Sequence, residues 1–401
     1  MQSPRRQADE ALQQLLDPIE SSVFKTDYWE KAPLHVARPA PQWLEELPGK
    51  EDLDHLFQVT PAANLRIVRS AGLRTREVPV SAARKMLANY QAYSDGWTLV
   101  LNAVHRRSPA VGMLAARLSE ALSHDIGVNL YFTPPAAQGF RPHIDGHDVF
   151  ILQLYGRKVW RVYGSKIDLP LEKQPYEIEE QDLEARTVEG TLEPGHLLYI
   201  PRGFIHDGYS TDEASMHLTI GVHAVRWVEL LHKILDVAAE RDVRFRRSLT
   251  LETLRSQGPS PPAEGVGQLV SSLARAGSVR EALRRLERQT ASHSAAADAG
   301  QFDAIDRARS LECRSRVERR PGLRCAVERR DGRVAIAFGE NRVEGPEAVE
   351  PALRFIAATP RFRVGDLPGN LADASKVTLC RRLVREGLLS VHREEEETDV
   401  A

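Results

Sequence analysis

Three side chains in the middle of this chain have the types and spacing of an open metal site. His143 and Asp145 stand two residues apart in His143-Ile144-Asp145, and in extended backbone that spacing sends both side chains to the same face of a strand. His206 follows Asp145 by 206 − 145 = 61 residues, just past the Pro201-Arg202-Gly203 turn that ends another strand. Two neutral imidazoles and one carboxylate form the facial triad of non-haem Fe(II) oxygenases. Three protein ligands leave three adjacent positions on an octahedral ion, two for a chelating cosubstrate and one for dioxygen. With a single carboxylate the centre stays net positive, which favours an anionic chelator. Structural zinc is the competing occupant, but zinc prefers closed Cys/His sites and no cysteine is nearby. His147 extends the run to His143-Ile-Asp145-Gly-His147 and is an alternative ligand, although Asp-Gly-His reads as a turn.

A chelating anion with a second charged end needs a cation further in. Lys158 lies 158 − 143 = 15 residues after the first histidine, across the Tyr155-Gly156-Arg157 turn. By alternation it shares a face with Trp160 and Val162, opposite Arg157, Val159 and Arg161. An ammonium among bulky apolar neighbours is costly unless an anion pairs with it, and the distal carboxylate of 2-oxoglutarate is such an anion. Otherwise Lys158 is a solvated strand residue beside two arginines. On an earlier strand Asn129, Tyr131 and Thr133 alternate with Val128, Leu130 and Phe132 and offer polar contacts to the same interior, although Tyr131 is equally a packed core tyrosine. His217 and His223 alternate with Leu218, Ile220 and Val222 and read as hydrogen-bonded core histidines, with His217 the one placed to face a cosubstrate.

The segment from Gln138 to Tyr163, with Gly195 to His206, resembles the JmjC-type (cupin-fold) 2-oxoglutarate oxygenases, and among them the ribosomal oxygenases. The shared pattern is His143/Asp145, Asp148-Val149-Phe150, Gln153, Gly156, Arg157-Lys158, Trp160-Arg161-Val162 and Leu198-Tyr199-Ile200-Pro201 through His206. One departure is His196 after Gly195, where that family has aspartate. The resemblance implies a mainly β core (double-stranded β-helix or jelly-roll), Fe(II) on His143, Asp145 and His206, and the 2-oxoglutarate C5 carboxylate on Lys158. It also implies a cosubstrate contact from Tyr131, with Asn129 a looser match. It further implies a protein substrate, a His or Arg side chain of a ribosomal protein, and a homodimer. Two rival readings remain: the same chemistry on a free amino acid or natural-product peptide, and a non-catalytic cupin-fold regulator whose winged helix binds nucleic acid.

These residues need strands to hold them, and the pattern supplies strands. Short β runs at Val128–Thr133, Val149–Leu154, Lys158–Tyr163, Thr187–Leu192, Leu197–Ile200 and Ser215–His223 are separated by Gly, Pro and Asp, which points to an antiparallel β fold. Helices are expected from Asp9 to Leu16, from Ser108 to Ser123 and from Trp227 to Ala239, with a further one from Val279 to Arg288. Gln257 to Gly265 reads as a linker and Ala291 to Gly300 as a loop. The last hundred residues read as a strand at Val334–Phe338, a helix at Pro346–Ala358, and a helix–turn–helix with a β-wing over Val364–Leu367, Ser375–Glu386 and Leu388–His392. The expected division is an oxygenase unit at 1–225, a helical, dimer-forming segment at 226–300 and a winged-helix-like α+β domain at 301–401.

Composition bounds the partners. At 401 residues, two or three domains are expected. Lys+Arg (54) and Asp+Glu (56) nearly cancel to a net charge of −2, which removes any global case for nucleic acid or an anionic membrane. Lys376, Arg381, Arg382 and Arg385 give the would-be recognition helix a basic face, yet Glu386 and the acidic tail oppose phosphate binding. Cys313, Cys325 and Cys380 form no disulfide framework, and a reducing, cytoplasmic compartment is expected. The polar N-terminus has no apolar core of a secretory signal, and no run approaches the ~18 apolar residues of a membrane span.

Overall fold

The computed structural model describes residues 4–71, 74–80, 85–172, 174–249, 251, 263–273, 276–293, 300–330 and 332–391. They divide into two compact units, one built on residues 1–224 with short pieces 295–306 and 320–322, the other on 225–294, 307–319 and 323–401.

In the first unit eleven strands form two antiparallel sheets: β1 (Leu34–Val36), β2 (Leu65–Ala71), β3 (Arg74–Val78), β4 (Thr98–Leu101), β5 (Asp125–Thr133), β6 (Asp148–Tyr155), β7 (Lys158–Ser165), β8 (Arg186–Leu192), β9 (Leu197–Ile200), β10 (Phe204–Ser210) and β11 (Ser215–His223). The large sheet runs β1-β9-β6-β11-β5-β4-β2-β3 and the small one β10-β7-β8. Period-two alternation decides what each face carries. Val128, Leu130 and Phe132 of β5, Phe150 and Leu152 of β6, and Met216, Leu218, Ile220 and Val222 of β11 enter one core. That core also takes Leu12, Leu15 and Leu16 of the Pro4–Leu16 helix and Val111, Ala115 and Leu118 of the Pro109–Leu122 helix. The intervening residues turn to the other face, where Val149, Ile151, Leu198 and Ile200 meet Trp160, Val162 and Leu192 of the small sheet. Val149, Ile151 and Trp160 of this second set also line the cavity described below.

The strands at Leu197–Ile200 and Ser215–His223 coincide at both ends with the sequence expectation. Two local corrections bear on the site. His143 and Asp145 are not on a strand: His143 makes an isolated bridge to His206, and Asp145 lies in irregular backbone before β6. Asp-Gly-His bends the chain there, as the turn reading of those residues suggests. Conversely, His206 sits inside β10, a strand absent from the sequence expectation because Asp207-Gly208 mimics a turn. Gly208 has another reason to be there, since a Cβ on it would lie 2.9 Å from the Trp160 ring.

The second unit contains the helices Trp227–Arg241, Ala263–Leu273 and Ala276–His293, the sheets β16-β12-β17 and β13-β14-β15, and the helices Glu350–Ala358 and Asp373–Arg385. Here β12 is Arg316–Arg319, β13 Cys325–Arg330, β14 Arg333–Phe338, β15 Asn341–Pro346, β16 Arg361–Arg363 and β17 Leu389–Val391. The expected linker is helical from Ala263 onward, its earlier part lying outside the described residues, as do 294–299 of the expected loop and His392 with the acidic tail. The expected Pro346–Ala358 helix begins with a 3-10 turn, Glu347–Val349. No helix among the described residues is long and apolar enough to cross a membrane.

The β6–β7 turn offers a test. Gly156 has φ +61° and a Cβ there would stand 1.8 Å from the Ala214 carbonyl oxygen. Gly156→Ala is expected to cost about 2 kcal/mol or more, seen as a lower midpoint in chemical denaturation.

Candidate functional site

His143, Asp145 and His206 come together as the sequence pattern requires, their ligand atoms all within 4.8 Å of one another. Backbone does the joining. The His143 N–H donates to the His206 carbonyl at 3.2 Å and the His206 N–H donates to the His143 carbonyl at 2.9 Å. Each ring is then turned by its own Nδ1, which sits 2.8 Å from the Arg141 carbonyl in His143 and 3.0 Å from the Phe204 carbonyl in His206. With Nδ1 donating to backbone, Nε2 of each ring is the atom turned toward a ligand, the orientation that metal-binding histidines need. His206 Nε2 stands 3.5 Å from Asp145 Oδ2. Burial and the neighbouring His206 push His143 down to about 4, so it is a neutral ligand at physiological pH. Burial alone raises the Asp145 carboxyl, but the hydrogen bond from His206 and both imidazoles outweigh it and hold it below the usual carboxylate range. His206 is the counterpart: burial lowers it, yet Asp145 raises it further. The donor set therefore fits a divalent cation, which would relieve the proton shared between His206 and Asp145.

His147 is outside this group and stacks instead on His223, centroids 4.8 Å apart.

The three groups open onto a cavity of about 150 Å³ lined from both sheets. Lys158, Trp160, His206 and Gly208 come from the small sheet, and Tyr131, Val149, Ile151, His217 and Thr219 from the large one. Arg66, Thr98 and Phe140 complete the wall. Lys158 is only 4 % exposed. Its ammonium lies over the Trp160 ring at 5.1 Å and donates to Thr133 Oγ1 at 3.3 Å. Burial, offset only in part by Asp207, lowers it to about 7. Two more buried nitrogens on this wall, Trp160 Nε1 and His217 Nδ1, have no hydrogen-bond partner. Burial and Lys158 keep His217 well below the ordinary histidine value. A cation and a donor-only indole N–H, both short of acceptors in one cavity, define an anion-binding end.

Tyr131 lines the cavity, stacked on His217 at 4.8 Å, and burial drives its hydroxyl up to about 12. Asn129 does not line the cavity; its Oδ1 accepts from the Ala103 N–H at 2.9 Å. Arg66, Thr98 and Phe140 escaped the sequence reading. Arg66 lies on a strand that the reading left unassigned, with its guanidinium over Phe140 at 5.1 Å and a bidentate pair to Glu77.

Away from the cavity, the basic side chains of the Asp373–Arg385 helix are engaged within their own unit. Lys376 donates to the Gly365 carbonyl, Arg381 to those of Ala308, Arg309 and Leu311, Arg382 to that of Glu344, and Arg385 pairs with Glu386.

Comparison with known proteins agrees with this geometry. Residues 109–230 match the JmjC domain. Ribosomal oxygenase 1 of Danio rerio is 32% identical over 267 residues, 63% of this chain and 49% of that protein. The Homo sapiens protein of the same name is 32% identical over 268 residues, 64% of this chain and 42% of that one. The bifunctional lysine-specific demethylase and histidyl-hydroxylase NO66 of Drosophila mojavensis is 28% identical over 243 residues, 59% and 27% of the two chains. The chain thus spans about half the length, or less, of these relatives. The crystal structure of the Escherichia coli ribosomal oxygenase YcfD superposes with a TM-score of 0.59 at 21% identity, covering 93% of this chain and 98% of that one. The same protein has been solved with cobalt and 2-oxoglutarate, and there the TM-score is 0.57 at 19% identity over 94% and 99%. Residues 109–230 thus resemble a JmjC domain, and the fold is that of the solved ribosomal oxygenase.

The buried ammonium has a measurable cost. Between pH 7 and 10.5 the unfolded chain holds the Lys158 proton and the folded chain does not, so this residue makes stability rise with pH across that window. Lys158→Met is expected to raise Tm by several degrees at pH 7 and to flatten the rise between pH 7 and 9.5, as read by differential scanning fluorimetry at both values.

Proposed function

We propose that this JmjC-domain chain is an Fe(II)- and 2-oxoglutarate-dependent oxygenase that hydroxylates a protein side chain, a His or Arg of a ribosomal protein. The observation that carries the reading is one cavity with an open His-Asp-His donor set at one place and a buried, anion-seeking lysine at another. His143, Asp145 and His206 would hold the iron, and Lys158 would take the C5 carboxylate, with Trp160 Nε1 and Tyr131 as further contacts. Iron held there supplies dioxygen activation, coupled to oxidative decarboxylation of 2-oxoglutarate to succinate and CO2.

The chain's own residues do the rest. The backbone hydrogen bonds of the two histidine Nδ1 atoms aim both Nε2 atoms inward, where a bound cation would take the place of the proton that His206 shares with Asp145. Aliphatic Val149 and Ile151 and the Trp160 ring keep the cavity dry, which strengthens every charge interaction within it. A protein substrate is favoured by the relatives' names, ribosomal oxygenase and histidyl-hydroxylase. The regulator reading is disfavoured by the basic side chains of the C-terminal helix, which are spent on internal carbonyls.

A homodimer through the 226–300 segment forms part of this proposal. On the Trp227–Arg241 helix, Ile234 and Val237 pack against Ala282, while Trp227 (80% exposed), Leu231 and Leu235 form a second apolar stripe at four-residue spacing that faces outward.

Two experiments follow. With Fe(II) and a peptide library from ribosomal proteins, 2-oxoglutarate-dependent succinate release and a 16 Da gain on one peptide are expected; His143→Ala or Asp145→Ala should abolish both with the far-UV spectrum unchanged, and Lys158→Ala should raise the 2-oxoglutarate requirement. Release without any protein oxidation would move the substrate to free amino acids, and no release would reject the oxygenase. Separately, light scattering should show a dimer that Trp227→Glu with Leu231→Glu converts to a monomer; a wild-type monomer would remove the dimer.

A further inference from the structure

The segment that carries His143 and Asp145 and the turn that leads into β10 are cross-linked by a largely buried ion-pair network that no step above uses. Asp148, wholly buried at the start of β6, lies three residues after Asp145, and Arg202, 5% exposed, lies four before His206. Arg202 donates twice to this carboxylate: its Nη1 reaches Asp148 Oδ2 at 2.5 Å, and its backbone N–H reaches Oδ1 at 3.3 Å. Tyr199 donates its hydroxyl to the same Oδ1 at 3.0 Å and accepts the Glu30 N–H at 3.0 Å. Glu30, in the left-handed region at φ 59°, takes the other arm of Arg202, Nη2 to Oε1 at 2.6 Å. Next door, the Gly203 N–H donates to the Asp145 carbonyl at 3.1 Å. A Cβ on Gly203 would stand 1.9 Å from the Ile167 carbonyl oxygen, so the turn has no room to adjust.

We infer that Arg202, gripped by Asp148 and Glu30, is a positioning residue that sets the distance between Asp145 and His206 and so tunes metal affinity. The inference rests on the proposed metal centre. Its chemistry is that of an outer partner: Arg202 touches no metal ligand side chain, but its backbone and guanidinium fix the turn whose next residue holds the Asp145 backbone and whose strand carries His206. A fork-shaped guanidinium suits this better than an ammonium, because one group must satisfy two carboxylates in fixed directions. Outer partners of metal ligands change metal affinity by about 10- to 100-fold when removed.

The test is Co(II) binding to the purified full chain at 10 °C without cosubstrate, followed by its visible absorption bands, beside thermal melts of the same samples. Arg202→Met is expected to weaken Co(II) binding at least tenfold, Arg202→Lys to restore part of it, and Tyr199→Phe to weaken it by a smaller factor. A purely structural network would lower Tm and leave the affinity of the folded protein alone, so a folded Arg202→Met variant binding within twofold of wild type overturns the inference. Should Arg202→Met fail to fold, Tyr199→Phe and Arg202→Lys decide: affinity at least threefold weaker in both supports the role, and unchanged affinity overturns it. A wild-type protein that binds no Co(II) would instead strike at the metal centre itself.

Discussion

The reciprocal backbone hydrogen bonds between His143 and His206 are the contact on which the site depends. They form an isolated bridge on β10, a strand that is itself paired with β7. Side chains alone could not hold three donors together against the entropy of two loops. Backbone hydrogen bonds can, because each closes a buried polar group that would otherwise go unsatisfied. The rings are then oriented by the same means, through carbonyls of the residues two before each histidine. Geometry that would be loose on flexible side chains is thereby fixed by the main chain.

Much of this was legible in the sequence because it depended on types and alternation. The donor set, the lysine beyond the Gly156 turn, and the faces of β5, β6 and β11 all follow from period two and from burying aliphatic residues. What stayed hidden depended on packing. Asp207-Gly208 carries a turn signal, yet it lies mid-strand because the Trp160 ring needs the space over the glycine. His143 and Asp145 looked like strand neighbours, but a single bridge and an irregular stretch suffice to present them. Arg66 and Phe140 come from segments with no local pattern pointing at the cavity, and only the tertiary arrangement of β2 brings them there. Asn129 illustrates the finer limit: alternation puts it on the face of Tyr131, while its Oδ1 is taken up by the Ala103 N–H.

Stability and recognition pull apart at Lys158. The fold carries an ammonium into an apolar wall and leaves it with one hydroxyl and an aromatic face. Such a group is retained in spite of its desolvation, which marks a place where the sequence serves binding before folding. By contrast, Asp148 and Arg202 are buried as a pair: both carboxylate oxygens of Asp148 accept hydrogen bonds, while Arg202 Nε has no partner among the described residues and Glu30 is partly exposed.

Lys158 and His206 belong to the same small sheet, on adjacent strands whose register sets Ser210 opposite Lys158 and Val162 opposite His206. Their separation is therefore written into a rigid lattice of main-chain bonds and does not change when the two sheets breathe against one another. Such a lattice works as a ruler. Under the proposed function it would measure the carbon count of a linear diacid stretched from the ligand triad to the ammonium, so that selection by length would need no gate and no moving part.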